Sequence, residues 1–181
     1  GTGDWNDGLS LVGFRGKGES VWLGFFLYDI IMHFADFVGG REGPARKKYY
    51  LDRAAQLRQA LDAMWRDGRY VRAITDTGEE MMFADALNAA WPAISGAADF
   101  DHSAAAVEHG LRDLEKENMV LLLSPPFTEL SRPYPGKIAD YPPGVRENGG
   151  QYSHGASWLV DALARLAMRA AAGEQSPRRA A

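Results

Sequence analysis

The sequence predicts a mainly all-α fold, with long helices in pairs, a few short strands and one long proline-rich loop. Three observations predict it. An apolar run over Ser20–Phe37 is too long for a strand. From Pro44 to about Arg66, Leu51, Ala54, Leu57, Leu61, Met64 and Trp65 recur at helical spacing, while Lys47, Arg53, Arg58 and Asp62 face away. Between Ser124 and Gly150, Pro125, Pro126, Pro133, Pro135, Pro142 and Pro143 interrupt any regular element.

Taken in order, Gly13–Gly18 is a glycine-rich turn, and Glu19 and Ser20 lead into the first helix. That helix is apolar nearly all round, which implies burial on several sides. Gly39-Gly40 is expected to end it. Pro44 suits the first turn of the second helix, and Gly68 its stop. Tyr70 to Ile74 alternates like a short strand, and Asp76-Thr77-Gly78 is a turn. A shorter helix over Phe83–Ser95 is bent by Pro92, and a third long helix over Ser103–Asn118 carries Val107, Leu111 and Leu114. Met119 to Leu123 reads as a buried strand. The loop over Ser124–Gly150 is of a length that compact domains reserve for function. Ser153 or His154 opens a last helix that runs to about Ala172. Residues 1–172 therefore read as one domain and 173–181 as a disordered tail.

The 181 residues and 46% hydrophobic fraction suit one globular domain. The net charge of -4 leaves no basic footprint for nucleic acid. Arg165, Arg169, Arg178 and Arg179 form the one basic cluster without acidic neighbours and read as a solvated end. The absence of cysteine excludes disulfides and thiolate metal sites. No histidine pair has metal-site spacing beside a carboxylate, so no metal is expected. His33 reads as a core residue, and His102 and His109 as surface or capping positions. The first residues carry no signal-peptide pattern. The apolar stretch Val21–Val38 is broken by Asp29, His33 and Asp36, so it reads as a buried helix, not a transmembrane segment. These features lead to an expectation of a cytoplasmic chain. No Gly-x-Ser-x-Gly elbow occurs, which disfavours a serine hydrolase.

Three segments carry chemistry. In Gly3-Asp4-Trp5-Asn6-Asp7-Gly8, two carboxylates and an amide suit hydroxyl groups, an indole suits the apolar face of a sugar ring, and the glycines let backbone approach a ligand. The same composition fits an Asx-rich turn before a helix, and the residues alone do not choose. A calcium loop fits less well, because Gly8 and Leu9 fall where an oxygen ligand and a turn glycine are needed. The Gly13–Gly18 turn lacks phosphate-loop spacing and reads as a plain loop, although Lys17 could face an anion. The third segment, Tyr141 to Gly155, is the densest in polar groups. Arg146 can hold an oxyanion in a fork, Glu147 and Asn148 can grip hydroxyls, and His154 at a helix start can meet phosphate. A capped helix after a turn is the plainer alternative.

The pieces GTGDWNDGL, GKGESVWLGFFL, AWPAISGAAD, LLLSPPF and YPPGVRENGGQYSHGASW follow in this order from residue 1 to 158. Together they resemble glycoside hydrolase family 94, the inverting phosphorylases of β-linked glucosides, in particular the C-terminal phosphorylase-like region of cyclic β-1,2-glucan synthases. The resemblance implies a fragment of an (α/α)6 catalytic barrel over residues 1–172, about half of a twelve-helix ring. It implies phosphorolysis of a β-glucan, β-1,2-linked by resemblance alone, to α-glucose 1-phosphate. Inorganic phosphate is then co-substrate, no cofactor is needed, and the parent synthase is compatible with an inner-membrane association. The general acid falls on Asp7, the sugar platform on Trp5, a sugar contact on Glu147 and the phosphate ligand on His154. Asp4, Asn6, Arg146 and Asn148 join them as expected substrate contacts. Asp7 must start the reaction protonated, which asks for burial or a neighbouring carboxylate, and Asp4 is the candidate for that carboxylate. An inactive glucan-binding remnant is the alternative. Either way, an open barrel edge is expected to expose Trp22, Phe25, Phe26 and Phe34, favouring poor solubility or association with the rest of the barrel.

Overall fold

Ser20 starts the first helix of the chain: its hydroxyl accepts from the Leu23 N–H, as an N-cap should. The computed structural model describes residues 3–174. In chain order these form β1 (Glu19–Ser20), α1 (Val21–Glu42), α2 (Pro44–Asp62), β2 (Trp65–Arg66), β3 (Arg69–Tyr70), β4 (Ala73–Ile74), β5 (Glu80–Met81), β6 (Ala84–Asp85), α3 (Ala86–Ser95), α4 (Phe100–Leu114), β7 (Glu115–Lys116), β8 (Met119–Val120), β9 (Leu123–Ser124), a 3-10 turn (Lys137–Asp140) and α5 (Ser153–Ala171). The predicted mainly helical class with short strands is what the structure has. The tail expected at 173–181 falls, from residue 175 on, outside the described residues.

The helices pack in pairs. α1 lies along α2, and α3 lies between α1, α4 and α5. α3 is buried along most of its length, with Leu87, Ala90, Trp91, Ala93 and Ile94 in the core, and Pro92 sits inside it. The strands are short antiparallel clips: β1-β4-β5 in one sheet, and the pairs β2-β3, β6-β9 and β7-β8. A second, smaller core of Leu9, Val12, Met81, Phe83, Leu123, Phe127 and Ile138 joins the opening segment to the proline-rich loop.

Several boundaries differ from expectation. α1 continues through Gly39-Gly40 and stops at Gly43, where φ is 90°. The continuation has a packing reason, since a Cβ on Gly39 would lie 3.0–3.1 Å from Lys47 carbons, so glycine lets α2 approach closely. α2 ends at Asp62 instead of Arg66, because Trp65-Arg66 and Arg69-Tyr70 pair as a hairpin. Its turn, Asp67-Gly68, has positive φ at both residues (44° and 88°), the condition of a type I′ turn. α4 likewise ends at Leu114, four residues short, where Glu115–Lys116 pairs with Met119–Val120.

α1 is long and apolar enough to cross a membrane by length and composition, yet it packs on α2 and α3. It is not buried all round. Trp22 and Phe25 are buried and Phe26 is half-buried, contrary to the exposed edge expected of them. The exposed row is Leu23, Leu27, Ile30, Phe34 and Phe37, at helical spacing. His33, expected in the core, is exposed beside Asp29. Arg165 and Arg169 are not unpaired, since Asp161 and Glu174 accept from them at 2.6–2.9 Å.

Candidate functional site

The opening segment is built as a ladder of Asx turns. The Asn6 N–H donates to Asp4 Oδ1 (2.8 Å) and the Gly8 N–H to Asn6 Oδ1 (3.1 Å), while the Leu9 N–H donates to the Asn6 carbonyl (3.0 Å). Beneath it the proline-rich loop supplies the Ile138 N–H to the Gly8 carbonyl at 2.8 Å. Gly8 is required there, because a Cβ would lie 2.7 Å from that of Ile138. Asp7 stands at the turn of this ladder and is exposed.

Asp4, expected as a substrate contact, is bound by a residue of the chain itself. Arg72, completely buried, donates from Nη1 to Asp4 Oδ2 and from Nη2 to Asp4 Oδ1, both at 2.8 Å, and the Ser20 hydroxyl also donates to Asp4. Arg72 Nε lies 3.0 Å from Asp85 Oδ2, while Asp85 Oδ1 caps α3 by accepting from the Leu87 and Asn88 N–H groups. Burial pulls the Asp4 carboxyl upward, but the Arg72 charge and hydrogen bonds from Arg72, Ser20 and Asn6 outweigh it and hold it below the usual carboxylate range. Burial pushes the Asp85 carboxyl up, more than Arg72 and the cap offset. The charge of Asp4 is therefore offset at its own site by Arg72. Arg72 is the residue that the sequence hides. A lone arginine between a hairpin and a strand carries no motif, and only the fold places it between two distant aspartates.

At the other side of Trp5 the expected groups do converge. Trp5 lies edge-on to Tyr152 (5.4 Å between ring centroids), to His154 (5.2 Å) and to Trp158 (5.7 Å), and its indole N–H donates to His154 Nδ1 at 3.3 Å. His154 is exposed in the first turn of α5, whose N-terminus has no side-chain cap, so its first N–H groups are open to an anion. The Tyr152 hydroxyl donates to Glu147 Oε1 at 3.3 Å, and the Glu147 charge, followed by burial, holds that hydroxyl above its ordinary range. Glu147 Oε2 is shielded from solvent, makes no hydrogen bond among the described residues and has Arg146 Nε at 3.5 Å. Tyr152 and Trp158 escaped the sequence reading, although Trp158 follows His154 by one helical turn, a spacing that puts both on one face of α5.

Two other expected contacts are buried and bonded within the chain. Asn148 is fully buried: its Oδ1 accepts from the Phe127 N–H (2.7 Å) and its Nδ2 donates to the carbonyls of Phe127 (2.9 Å) and Tyr141 (2.8 Å). It ties the two ends of the proline-rich loop, with both amide hydrogens spent on backbone carbonyls and the side chain fully buried. Asn148→Ala is accordingly expected to destabilise the chain by about 2–4 kcal/mol, because it strands buried backbone groups. Urea unfolding checks this, and an unchanged midpoint would contradict it. Asn6 is also buried and serves the turn, with its Nδ2 unsatisfied among the described residues. Arg146 is exposed, with φ at 51°, and lies 4.8 Å over the Tyr141 ring. In the glycine-rich turn, the N–H groups of Arg15, Lys17 and Gly18 donate to the Asp76 carboxylate at 2.7–2.9 Å, so the chain itself fills that cradle. No cluster of three or more His, Asp or Glu side chains suited to a metal occurs among the described residues.

The chain is 36% identical over 174 residues to the cyclic beta-(1,2)-glucan synthase NdvB of Rhizobium meliloti (strain 1021), covering 90% of this chain and 6% of that protein. It is 34% identical over 169 residues to the solabiose phosphorylase of Paenibacillus borealis, covering 87% of this chain and 22% of that enzyme. The chain thus spans less than a quarter of the length of either relative. Among solved structures, the neutral trehalase Nth1 from Saccharomyces cerevisiae matches at a TM-score of 0.61 over 83% of this chain and 28% of that one; at 13% identity the likeness is of fold alone. The model of the glycosyl hydrolase 94 superfamily catalytic domain matches residues 1–174, and it is to this superfamily that the chain belongs.

Proposed function

We propose that this chain forms part of the (α/α)6 barrel of an inverting β-glucoside phosphorylase, acting on a β-glucan within a cyclic β-1,2-glucan synthase. The observation that carries the proposal is the contact of Trp5 with His154, groups from opposite ends of the sequence, at the N-terminus of a 19-residue helix, with Glu147 joined to Trp5 through Tyr152. The paired packing of the helices supports the barrel. The synthase and phosphorylase relatives support the chemistry.

In this reading Trp5 is the platform for the sugar face, and the Glu147 carboxylate, held by Tyr152 and Arg146, accepts from a sugar hydroxyl. His154 and the first N–H groups of α5 hold inorganic phosphate. A phosphate oxygen bonds to the anomeric carbon as the glycosidic C–O bond breaks. Asp7 gives its proton to the departing oxygen of the shortened glucan. An inverting hydrolase needs a second carboxylate to activate water; phosphate is already an anionic nucleophile, so one acid and an anion site suffice. The test is the parent protein incubated with β-1,2-glucan, with and without phosphate. Release of glucose 1-phosphate only when phosphate is present is expected. A second reading, a glucan-binding remnant, is favoured by the exposure of Asp7 and the neutralisation of Asp4. Binding of glucan with no phosphate-dependent release would select it.

A further inference from the structure

The Trp5–His154 contact sets more than a distance. An indole N–H is a donor with no acceptor capacity. With Trp5 Nε1 at 3.3 Å, His154 Nδ1 must turn a lone pair to it. A hydrogen on Nδ1 would oppose two N–H groups across that gap. The imidazole is also confined: Trp158 lies 4.3 Å from it, tilted, and Trp5 stands edge-on at 5.2 Å. Backbone geometry holds the base of the side chain, since the Ser157 hydroxyl donates to the His154 carbonyl at 2.7 Å within α5.

We propose that Trp5 is the positioning residue of His154: its indole N–H selects the ring tautomer with the hydrogen on Nε2. An anion at the start of α5 then meets an Nε2–H donor, beside the open backbone N–H groups of the first helical turn. The assignment of that anion as phosphate rests on the function proposed above; the tautomer does not. One side chain thereby serves two subsites. On the proposed function the same indole serves as the sugar platform while its N–H orients the group that meets the nucleophile, so disturbing the platform also disturbs the anion site.

The experiment uses the 181-residue chain labelled with 15N, and reads long-range proton–nitrogen correlations of its four histidines. Wild-type His154 is expected to show a single tautomer, with hydrogen on Nε2. Trp5→Phe, which keeps an aromatic ring but removes the donor, is expected to convert His154 to a mixture of tautomers while His33, His102 and His109 keep their patterns. Hydrogen on Nδ1 of wild-type His154 overturns the proposal without any variant. An unchanged single tautomer in Trp5→Phe overturns it as well. Inorganic phosphate titrated into the wild-type chain separates the two ideas. With the Nε2–H tautomer present but no phosphate-induced shift at His154, the positioning role stands and the phosphate reading falls. With a shift at a His154 that carries hydrogen on Nδ1, the reverse holds.

Discussion

Arg72→Met is expected to destabilise the chain by about 3–5 kcal/mol, the cost of leaving buried charges without their partner. The side chain is fully buried between Asp4 and Asp85, with two hydrogen bonds of 2.8 Å to the first and an ion pair of 3.0 Å to the second. Removing the guanidinium strands two carboxylates away from water. The same substitution combined with Asp4→Asn and Asp85→Asn is expected to recover much of the loss. Asparagine keeps the acceptor for the Asn6 N–H and still caps α3. Urea unfolding of the wild-type, single and triple variants measures both effects. A single variant within about 1 kcal/mol of wild type would show that the triad does not hold the opening segment. Because Asp4 begins the ladder of turns that carries Asp7, loss of this anchor should also disorder the acid, and the triple variant should regain more stability than activity.

Asp7→Asn is expected to do the opposite. Asp7 is exposed and none of the turn hydrogen bonds runs through its side chain, so stability should stay within about 0.5 kcal/mol of wild type. In the parent protein, removing the proposed general acid should lower the rate of glucan phosphorolysis by about 10²–10⁴-fold while leaving glucan binding intact. Initial rates of glucose 1-phosphate release, with thermal unfolding run beside them, make the measurement. Retained turnover would remove Asp7 from the role.

The two variants mirror what the sequence did and did not make legible. Long periodic segments such as Pro44–Asp62 and Ser153–Ala171 announce their helices, because burial of one face repeats every three or four residues. The hairpins were harder. Asp67-Gly68 lies where a helix stop and a type I′ turn use the same glycine, and only strand pairing decides between them. At Gly39-Gly40 the local stop signal loses to packing of α1 on α2. In the site, Trp5, Glu147 and His154 stand out by residue type; Trp5 and His154 touch, and Tyr152 links Glu147 to Trp5. Asp4, Asn6 and Asn148 stand out equally, yet Asp4 is bound to Arg72, and Asn6 Oδ1 and the Asn148 amide serve backbone groups. Side chains that suit sugar hydroxyls suit turn amides just as well, and a sequence does not say which partner is nearer. Arg72 reverses the case: its importance comes wholly from two aspartates that the fold delivers to it.

The most direct test of the phosphorylase account is the configuration at the anomeric carbon of the product. Following the parent protein on β-1,2-glucan and inorganic phosphate by proton and phosphorus NMR should show α-glucose 1-phosphate as the first-formed product, from attack on the face opposite the departing oxygen. First-formed β-glucose 1-phosphate, or free glucose released at the same rate without phosphate, would contradict it.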